Sequence, residues 1–421
     1  MTAWWHICGS VCENDALLEL ESRQMVSRNL LLLTFCQLIS ATGSIVLIML
    51  GGIIGTSLAD NPAYATFPVT ILVLSVAIVA IPATMLMKRV GRKAGFAAAS
   101  FTAVIAMLLA AWSLQQQSFV LFVAAAGLLG INLAFTQQYR YAAAESVEPA
   151  FVGRAISTVL IGAMGGAIVG PELVVQGQFW IAEVPYAGTL IAAGALYVIQ
   201  FFLLLMLAPL KIESEESGNA PARPLTVIAS QPIFIVAVLG GAVAYGVMSL
   251  IMTATPISMH VNDGYSIADT ASVIRGHVLG MYVPSLISGY LLDRFGVIRI
   301  MAVGAFVLVI AVTIASLDRS FMHYWMALVV LGIGWNFLYV GGTTMLTMTY
   351  SVSERFKAQA VNEFCVFGTA AAASLVAGSV IHLYGWTPLI LLPLPVMLIM
   401  LLALFSVRKD RRLHGLASQA T

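Results

Sequence analysis

The sequence predicts an all-α membrane protein of twelve transmembrane helices, arranged as two six-helix halves that repeat one another in parallel. Three observations carry this. Only 9% of the 421 residues are charged and 60% are hydrophobic, whereas a water-facing domain carries about a quarter charged residues. The apolar runs are long enough to cross a hydrocarbon core roughly 30 Å thick, which takes about 20 residues per helix. The basic residues, in turn, collect on one side of the resulting serpentine.

Apolar runs broken by polar or Pro/Gly punctuation place spans at 29–51, 65–87, 95–114, 118–140, 154–176 and 187–209. Six more follow at 233–259, 272–292, 297–317, 322–347, 358–383 and 386–407. The expected organisation is an N-terminal extension over 1–28, a first bundle over 29–209, a linker over 210–231, a second bundle over 232–407 and a tail over 408–421. The extension opens Met1-Thr2-Ala3-Trp4-Trp5 and then turns acidic, so it does not read as a secretory signal. The linker holds Lys211, Glu213, Glu215, Glu216, Gly218, Pro221, Arg223 and Pro224, the longest polar stretch between spans.

Orientation follows from where Lys and Arg fall. With the amino terminus inside, the inner side holds Arg23, Arg28, Lys88, Arg89, Arg92, Lys93, Arg140, Arg154, Lys211, Arg223, Arg294, Arg299, Arg355, Lys357, Arg408, Lys409, Arg411 and Arg412. Only Arg275 and Arg319 of the 20 basic residues fall outside. A miscounted helix would scramble that segregation from its position onward. The expectation is a multi-pass protein of the bacterial inner membrane with both termini cytoplasmic.

The net charge of +1 implies no nucleic-acid partner. Cys8, Cys12, Cys36 and Cys365 lack a companion pair at zinc-ligand spacing, and no metal or other cofactor is expected. No HExxH, no GxSxG beside a His and no P-loop is present, so the chain does not read as an enzyme and does not itself hydrolyse ATP.

The internal repeat is legible at a single offset. Lys88-Arg89-Val90-Gly91-Arg92-Lys93 follows span 2, and Asp293-Arg294-Phe295-Gly296-Val297-Ile298 follows span 8, 205 residues on. Gly130-Ile131-Asn132-Leu133-Ala134-Phe135 in span 4 recurs as Gly334-Trp335-Asn336-Phe337-Leu338-Tyr339 in span 10, at 204. Gly153-Arg154-Ala155 aligns with Ala358-Gln359-Ala360 at 205. An even number of spans separates the copies, which makes the repeat parallel rather than inverted.

The string Gly289-Tyr290-Leu291-Leu292-Asp293-Arg294-Phe295-Gly296 resembles the signature loop G-x-L-x-D-R-x-G of the major facilitator superfamily. The first-half loop is a degraded copy, with Thr84 for the glycine and Lys88 for the aspartate, while Arg89, Gly91, Arg92 and Lys93 fit. The resemblance runs over the whole chain. It implies a secondary transporter, working as a monomer in the lipid bilayer, whose two bundles rock about a central site. In the family the loop aspartate is thought to latch the inner side shut. Asp293 could meet Arg154 here, whereas the reciprocal contact has Lys88 and Gln359. Two readings stand: a charge-swapped latch of Lys88 with Glu354 or Glu363, or a basic loop that serves topology alone.

By the family pattern, spans 1, 4, 7 and 10 line the cavity. Their polar and aromatic candidates for substrate binding are Gln37, Asn132, Tyr245, Thr253, Trp335, Asn336 and Tyr339, with Ser40 and Ser249 beside them. Amides offer donors and acceptors, and Trp and Tyr offer flat surfaces to a ring; the competing reading is hydrogen-bonded glue between helices. That set is uncharged, so a neutral, ring-bearing small molecule is the expected substrate. Candidates for coupling or gating are Lys88, Arg89, Asp293, Arg294, Arg154, Glu172, His277 and Glu363, with Arg140 at the inner end of span 4. Glu172 reads either as a buried carboxyl suited to a coupling proton or as a residue of the outer headgroup region.

The series Gly162, Gly166, Gly170, Pro171 partly resembles an antiporter motif, but Val174 and Val175 replace its last glycine pair. Met252-Thr253-Ala254-Thr255-Pro256, His277-Val278-Leu279-Gly280-Met281-Tyr282-Val283-Pro284-Ser285 and Gly334-Trp335-Asn336-Phe337 look like strings of a bacterial branch that includes riboflavin transporters. That resemblance implies riboflavin uptake. The alternative within the family is proton-coupled efflux of drugs or metabolites.

Overall fold

In the computed structural model, the described residues are 28–144, 146–147, 152–208, 223–351 and 354–410. The N-terminal extension through residue 27, most of the linker and the tail from 411 lie outside them, as do the side chains of Lys88, Arg154 and Asp293. Every regular element among the described residues is helical. The first half comprises α1 (Arg28–Leu58), α2 (Phe67–Val90), α3 (Arg92–Gln115), α4 (Phe119–Thr136), α5 (Tyr139–Ala144), α6 (Val152–Gly177) and α7 (Ala187–Leu205). A short α8 (Leu225–Ala229) falls in the expected linker. The second half comprises α9 (Pro232–Pro256), α10 (Ile267–Tyr282), α11 (Ser285–Phe295), α12 (Val297–Leu317), α13 (Phe321–Thr347), α14 (Arg355–Tyr384), α15 (Trp386–Leu391) and α16 (Leu394–Val407).

Eleven stretches are long and apolar enough to cross a membrane. The exception is the eighth. The sequence predicts one span over 272–292, but two helices, α10 and α11, occupy 267–295 and part at Val283-Pro284. Proline has no N–H to give and its ring crowds the carbonyl four residues back, which breaks a helix at that point. Asp269, Arg275, Asp293 and Arg294 also dilute the hydropathy of this stretch. The pair stands where the sequence places its eighth span. Elsewhere the boundaries follow prediction closely: α12 spans 297–317, as predicted.

The repeat is visible in backbone geometry. Gly91 has φ 83° and ψ 156°, and Gly296 has φ 82° and ψ 151°. Each amide donates to the carbonyl four residues back, Met87 and Leu292, at 2.9 Å. This conformation is essentially closed to residues with a Cβ. The glycine of each repeated loop therefore turns α2 into α3, and α11 into α12, by the same corner.

The Gly162, Gly166, Gly170 series lies along α6 where it packs on α1. A Cβ at Gly166 would stand 2.9 Å from the Leu38 carbonyl, and one at Gly170 3.1 Å from Ile45 and from the Thr42 carbonyl. Small residues at this spacing let two backbones approach, which accounts for the series by packing alone. Large apolar side chains left exposed, such as Phe101, Leu108, Phe202, Phe306, Leu398 and Leu402, cluster on α3, α7, α12 and α16. A water-soluble protein rarely shows such a belt; here it is the surface for lipid.

With α10 and α11 counted as one crossing, both described chain ends fall on one face, called here the terminal face. At the opposite, distal face the halves meet, α2 against α14 and α6 against α10. Thr66 donates its hydroxyl to the Ser374 carbonyl at 2.8 Å, and Thr70 to the Ser374 hydroxyl at 3.2 Å. Arg275 of α10 pairs with Glu172 of α6 at 3.0 Å. The halves are thus joined on the distal side by packed helices and these polar contacts.

Candidate functional site

Five aromatic side chains from four crossings converge between the halves. Tyr245 on α9 is the hub, with ring centroids 5.2 Å from Trp335, 5.1 Å from Tyr339 and 5.2 Å from Phe367, each at a steep angle. Trp335 and Tyr339 are one turn apart on α13 and stack at 4.9 Å with an interplanar angle of 21°. Tyr282, at the end of α10, meets Trp335 edge-on at 6.5 Å. Such pairs hold one another rigidly, each worth about 0.5–1.5 kcal/mol beyond area burial. Trp335 and Phe367 are buried, whereas Tyr245, Tyr282 and Tyr339 keep part of their surface open. Tyr245 and Phe367 share an apolar cluster with Val76, Ala77 and Ala134 of the first half, so this wall stands at the seam between the halves. The Trp335 indole Nε1 is buried without a hydrogen-bond partner.

Opposite this wall, the first half contributes Arg140 and Tyr141 from α5. The Arg140 guanidinium lies 5.0 Å from the Tyr141 ring centroid and is directed at the Tyr339 hydroxyl. It shares an electrostatic neighbourhood with Glu363 of α14, and the field of both reaches Tyr245. No ion pair within 4 Å joins Arg140 and Glu363, and the Arg140 Nε is buried without a partner. The residues expected to line the cavity are thus accompanied by two ionisable side chains, Arg140 and Glu363.

The amides divide differently. Asn336 is fully buried. Its Oδ1 accepts from Ser288 at 2.5 Å, and its Nδ2 donates to the Met281 carbonyl at 2.7 Å and to the Ser285 hydroxyl at 2.6 Å. Every strong position is spent on the broken eighth crossing, which is the glue arrangement rather than a free cavity contact. Asn132 accepts from Ser40 at 3.0 Å and leaves Nδ2 unpartnered. Thr253 is buried and donates to Ser374 at 3.4 Å, beside the distal contacts. Gln37 is half-buried where α1 crosses Gly162.

The coupling and gating candidates scatter. Glu172 is half exposed in its pair with Arg275 and also accepts from Gln176 at 2.9 Å, so it is no buried carboxyl. His277 is buried; its Nδ1 meets the Leu328 carbonyl at 2.8 Å and its Nε2 has no partner. Arg294 stacks beside Tyr290 and Phe295 and donates to the Tyr290 hydroxyl at 2.8 Å. Arg89 is exposed at the end of α2. Glu354 is held by Arg223, bidentately at 2.7 and 2.8 Å, and by the Ser351 and Arg223 amides at 2.9 Å. These donors hold its carboxyl well below the usual carboxylate range. The side chains of Lys88, Arg154 and Asp293 lie outside the described residues, so the proposed latch pairs do too.

Sequence reasoning missed Tyr141, Tyr282 and Phe367. Tyr282 carried a signal, since it immediately precedes the Val283-Pro284 break, and Tyr141 sits next to Arg140. Phe367 carried none.

Known proteins share both the sequence pattern and the fold. The family model described as Major Facilitator Superfamily matches residues 33–274 and 238–420. The Riboflavin transporter RfnT of Brucella anthropi is 35% identical over 394 residues, covering 93% of this chain and 98% of that protein. An uncharacterized MFS-type transporter of Bacillus subtilis, YdeG, is 27% identical, covering 86% and 87%. Among solved structures, the nucleoside transporter NupG superposes with a TM-score of 0.68 at 14% identity, covering 92% of this chain and all of the other. A bacterial homolog of the human lysosomal transporter Spinster gives 0.71 at 15%, covering 92% and 97%. The chain belongs to the major facilitator superfamily of transporters.

Proposed function

We propose that this transporter takes up riboflavin across the bacterial inner membrane by alternating access, the aromatic wall serving as its binding surface. One observation supports it above the others. A chain 35% identical over nearly its whole length to a riboflavin transporter builds a stacked Trp335–Tyr339 pair, with Tyr245 and Tyr282 around it, at the seam between its halves. A flat tricyclic ring system finds in such a wall the apolar faces it loses on leaving water. With the terminal face cytoplasmic, as the basic residues indicate, the distal contacts join the halves on the periplasmic side. The halves then stand as they would for release inward. Opening the distal side would part α2 from α14 and α6 from α10, with loss of the Thr66–Ser374, Thr70–Ser374 and Arg275–Glu172 contacts.

A riboflavin auxotroph expressing this chain should grow on low external riboflavin and accumulate labelled riboflavin. Absence of both, with a gain in drug resistance instead, would overturn uptake in favour of efflux.

A further inference from the structure

The aromatic wall explains how a flat ring is held but not which edge of it is read. Arg140 and Glu363 bear on that edge. They come from opposite halves, lie within each other's field, and make no direct ion pair. Ionisable groups inside a membrane protein are costly, and are retained where they meet one another or a substrate path. These two do not meet. Glu363 stands one turn before Phe367, which meets Tyr245 at 5.2 Å, and Tyr339 and Tyr245, both partly open, feel the field of both groups. Nearby, two buried donors stand unused, the Arg140 Nε and the Trp335 Nε1. No hydrogen-bond donor is found for the Glu363 carboxylate among the described residues.

The inventory is therefore donors from Arg140 and Trp335, and an acceptor from Glu363, around one aromatic plane. The complementary ligand edge carries carbonyl acceptors beside an N–H donor. Resting on the riboflavin reading above, we propose that Arg140 and Glu363 together read the imide edge of a flat heterocycle. The Arg140 guanidinium donates to a ring carbonyl and the Glu363 carboxylate accepts from the ring N–H. Riboflavin presents such an edge at its dione ring. One ligand then bridges both halves.

The consequence is a sharp rule of specificity. A site built to pair with an N–H rejects the analogue that lacks it, because its own polar groups are then stranded. Labelled uptake of riboflavin and of its N3-methyl analogue should be compared in membrane vesicles holding the unaltered transporter. The expected result is an apparent affinity on the order of 10- to 100-fold weaker for the methylated ring, the range of a lost hydrogen bond to a charged group. In Glu363→Ala riboflavin should weaken to the level of the analogue, so that the ratio falls toward one. Arg140→Gln should weaken both ligands alike and leave the ratio in place. Equal uptake of the two compounds by the unaltered protein overturns the imide reading while leaving riboflavin transport standing. No riboflavin uptake at all overturns the transport reading, and this one with it. Retained discrimination in a well-expressed Glu363→Ala removes Glu363 from the role.

Discussion

Where the first half keeps Ser40, Ile131 and Phe135, the second half places Tyr245, Trp335 and Tyr339, 204 to 205 residues later. The scaffold has been copied and its lining has not. Gly91 and Gly296 turn the same corner with nearly identical torsions, and Gly130 and Gly334 both sit against a neighbouring backbone. Between these fixed points, the second half has gained a rigid aromatic surface, while the first offers a small polar cluster of Ser40, Asn132 and Thr136. Backbone constraints are shared because both halves must fold and pack alike. Side chains where the halves meet are free of that constraint and have diverged.

This contrast can be broken experimentally at several depths. The largest effect is expected from Trp335→Ala, which removes the stacked face. Stacking a heterocycle on an aromatic side chain is worth about 1–3 kcal/mol, so riboflavin affinity in uptake assays should fall roughly 5- to 150-fold. Its first-half counterpart, Ile131→Ala, should change affinity less than about twofold; an equal loss would erase the distinction between the halves. Gly91→Ala and Gly296→Ala test the shared scaffold. Each forces a side chain into a glycine-only conformation at about 1–3 kcal/mol, and the two should lower thermal stability in detergent by similar amounts.

Smaller and unequal effects are expected at the repeated asparagines. Asn336 makes three cross-helix hydrogen bonds and Asn132 one. At about 0.6 kcal/mol per bond within a membrane protein, Asn336→Ala should cost about 2 kcal/mol and Asn132→Ala about a third of that, read as shifts in melting temperature. The smallest effect concerns Arg223, which ties the end of the linker to the second half through Glu354 and the Thr349 carbonyl. Because Glu354 is depressed in the folded protein, its contribution is present above its unfolded value of about 4.3. It is lost only as pH falls through the lower folded value. Melting temperature should therefore show no step from this pair between pH 5 and 8, and Arg223→Gln should lower it without introducing one.

Much of the fold was legible in the residues. Ninth-span boundaries at 297 and 317 follow from Gly296 before it and Asp318 after it. The eighth was drawn as one unbroken span because a hydropathy window averages over Pro284 and the charges at either end. The site was half legible. Tyr245, Trp335 and Tyr339 stand on crossings that the family pattern turns inward, but Phe367 stands on α14, which is apolar around most of its circumference. Such a helix gives no sign of which face meets a cavity. Asn336 carries the same ambiguity: an amide in a span reads the same in sequence whether it awaits a ligand or is already saturated by neighbours. Arg140 and Glu363 were each visible, yet nothing in their spacing of more than two hundred positions brings them together. Only the packing of the two halves does that.

The break at Pro284 has a mechanical consequence. Asn336 holds Met281 on one side of the fracture and Ser285 and Ser288 on the other, acting as a splint across it. The eighth crossing therefore cannot flex at its weakest joint without tearing the splint or dragging α13 along. Trp335 directly precedes Asn336 on that helix, so any bending of the joint would be felt in the aromatic cluster as a tilt of its largest side chain.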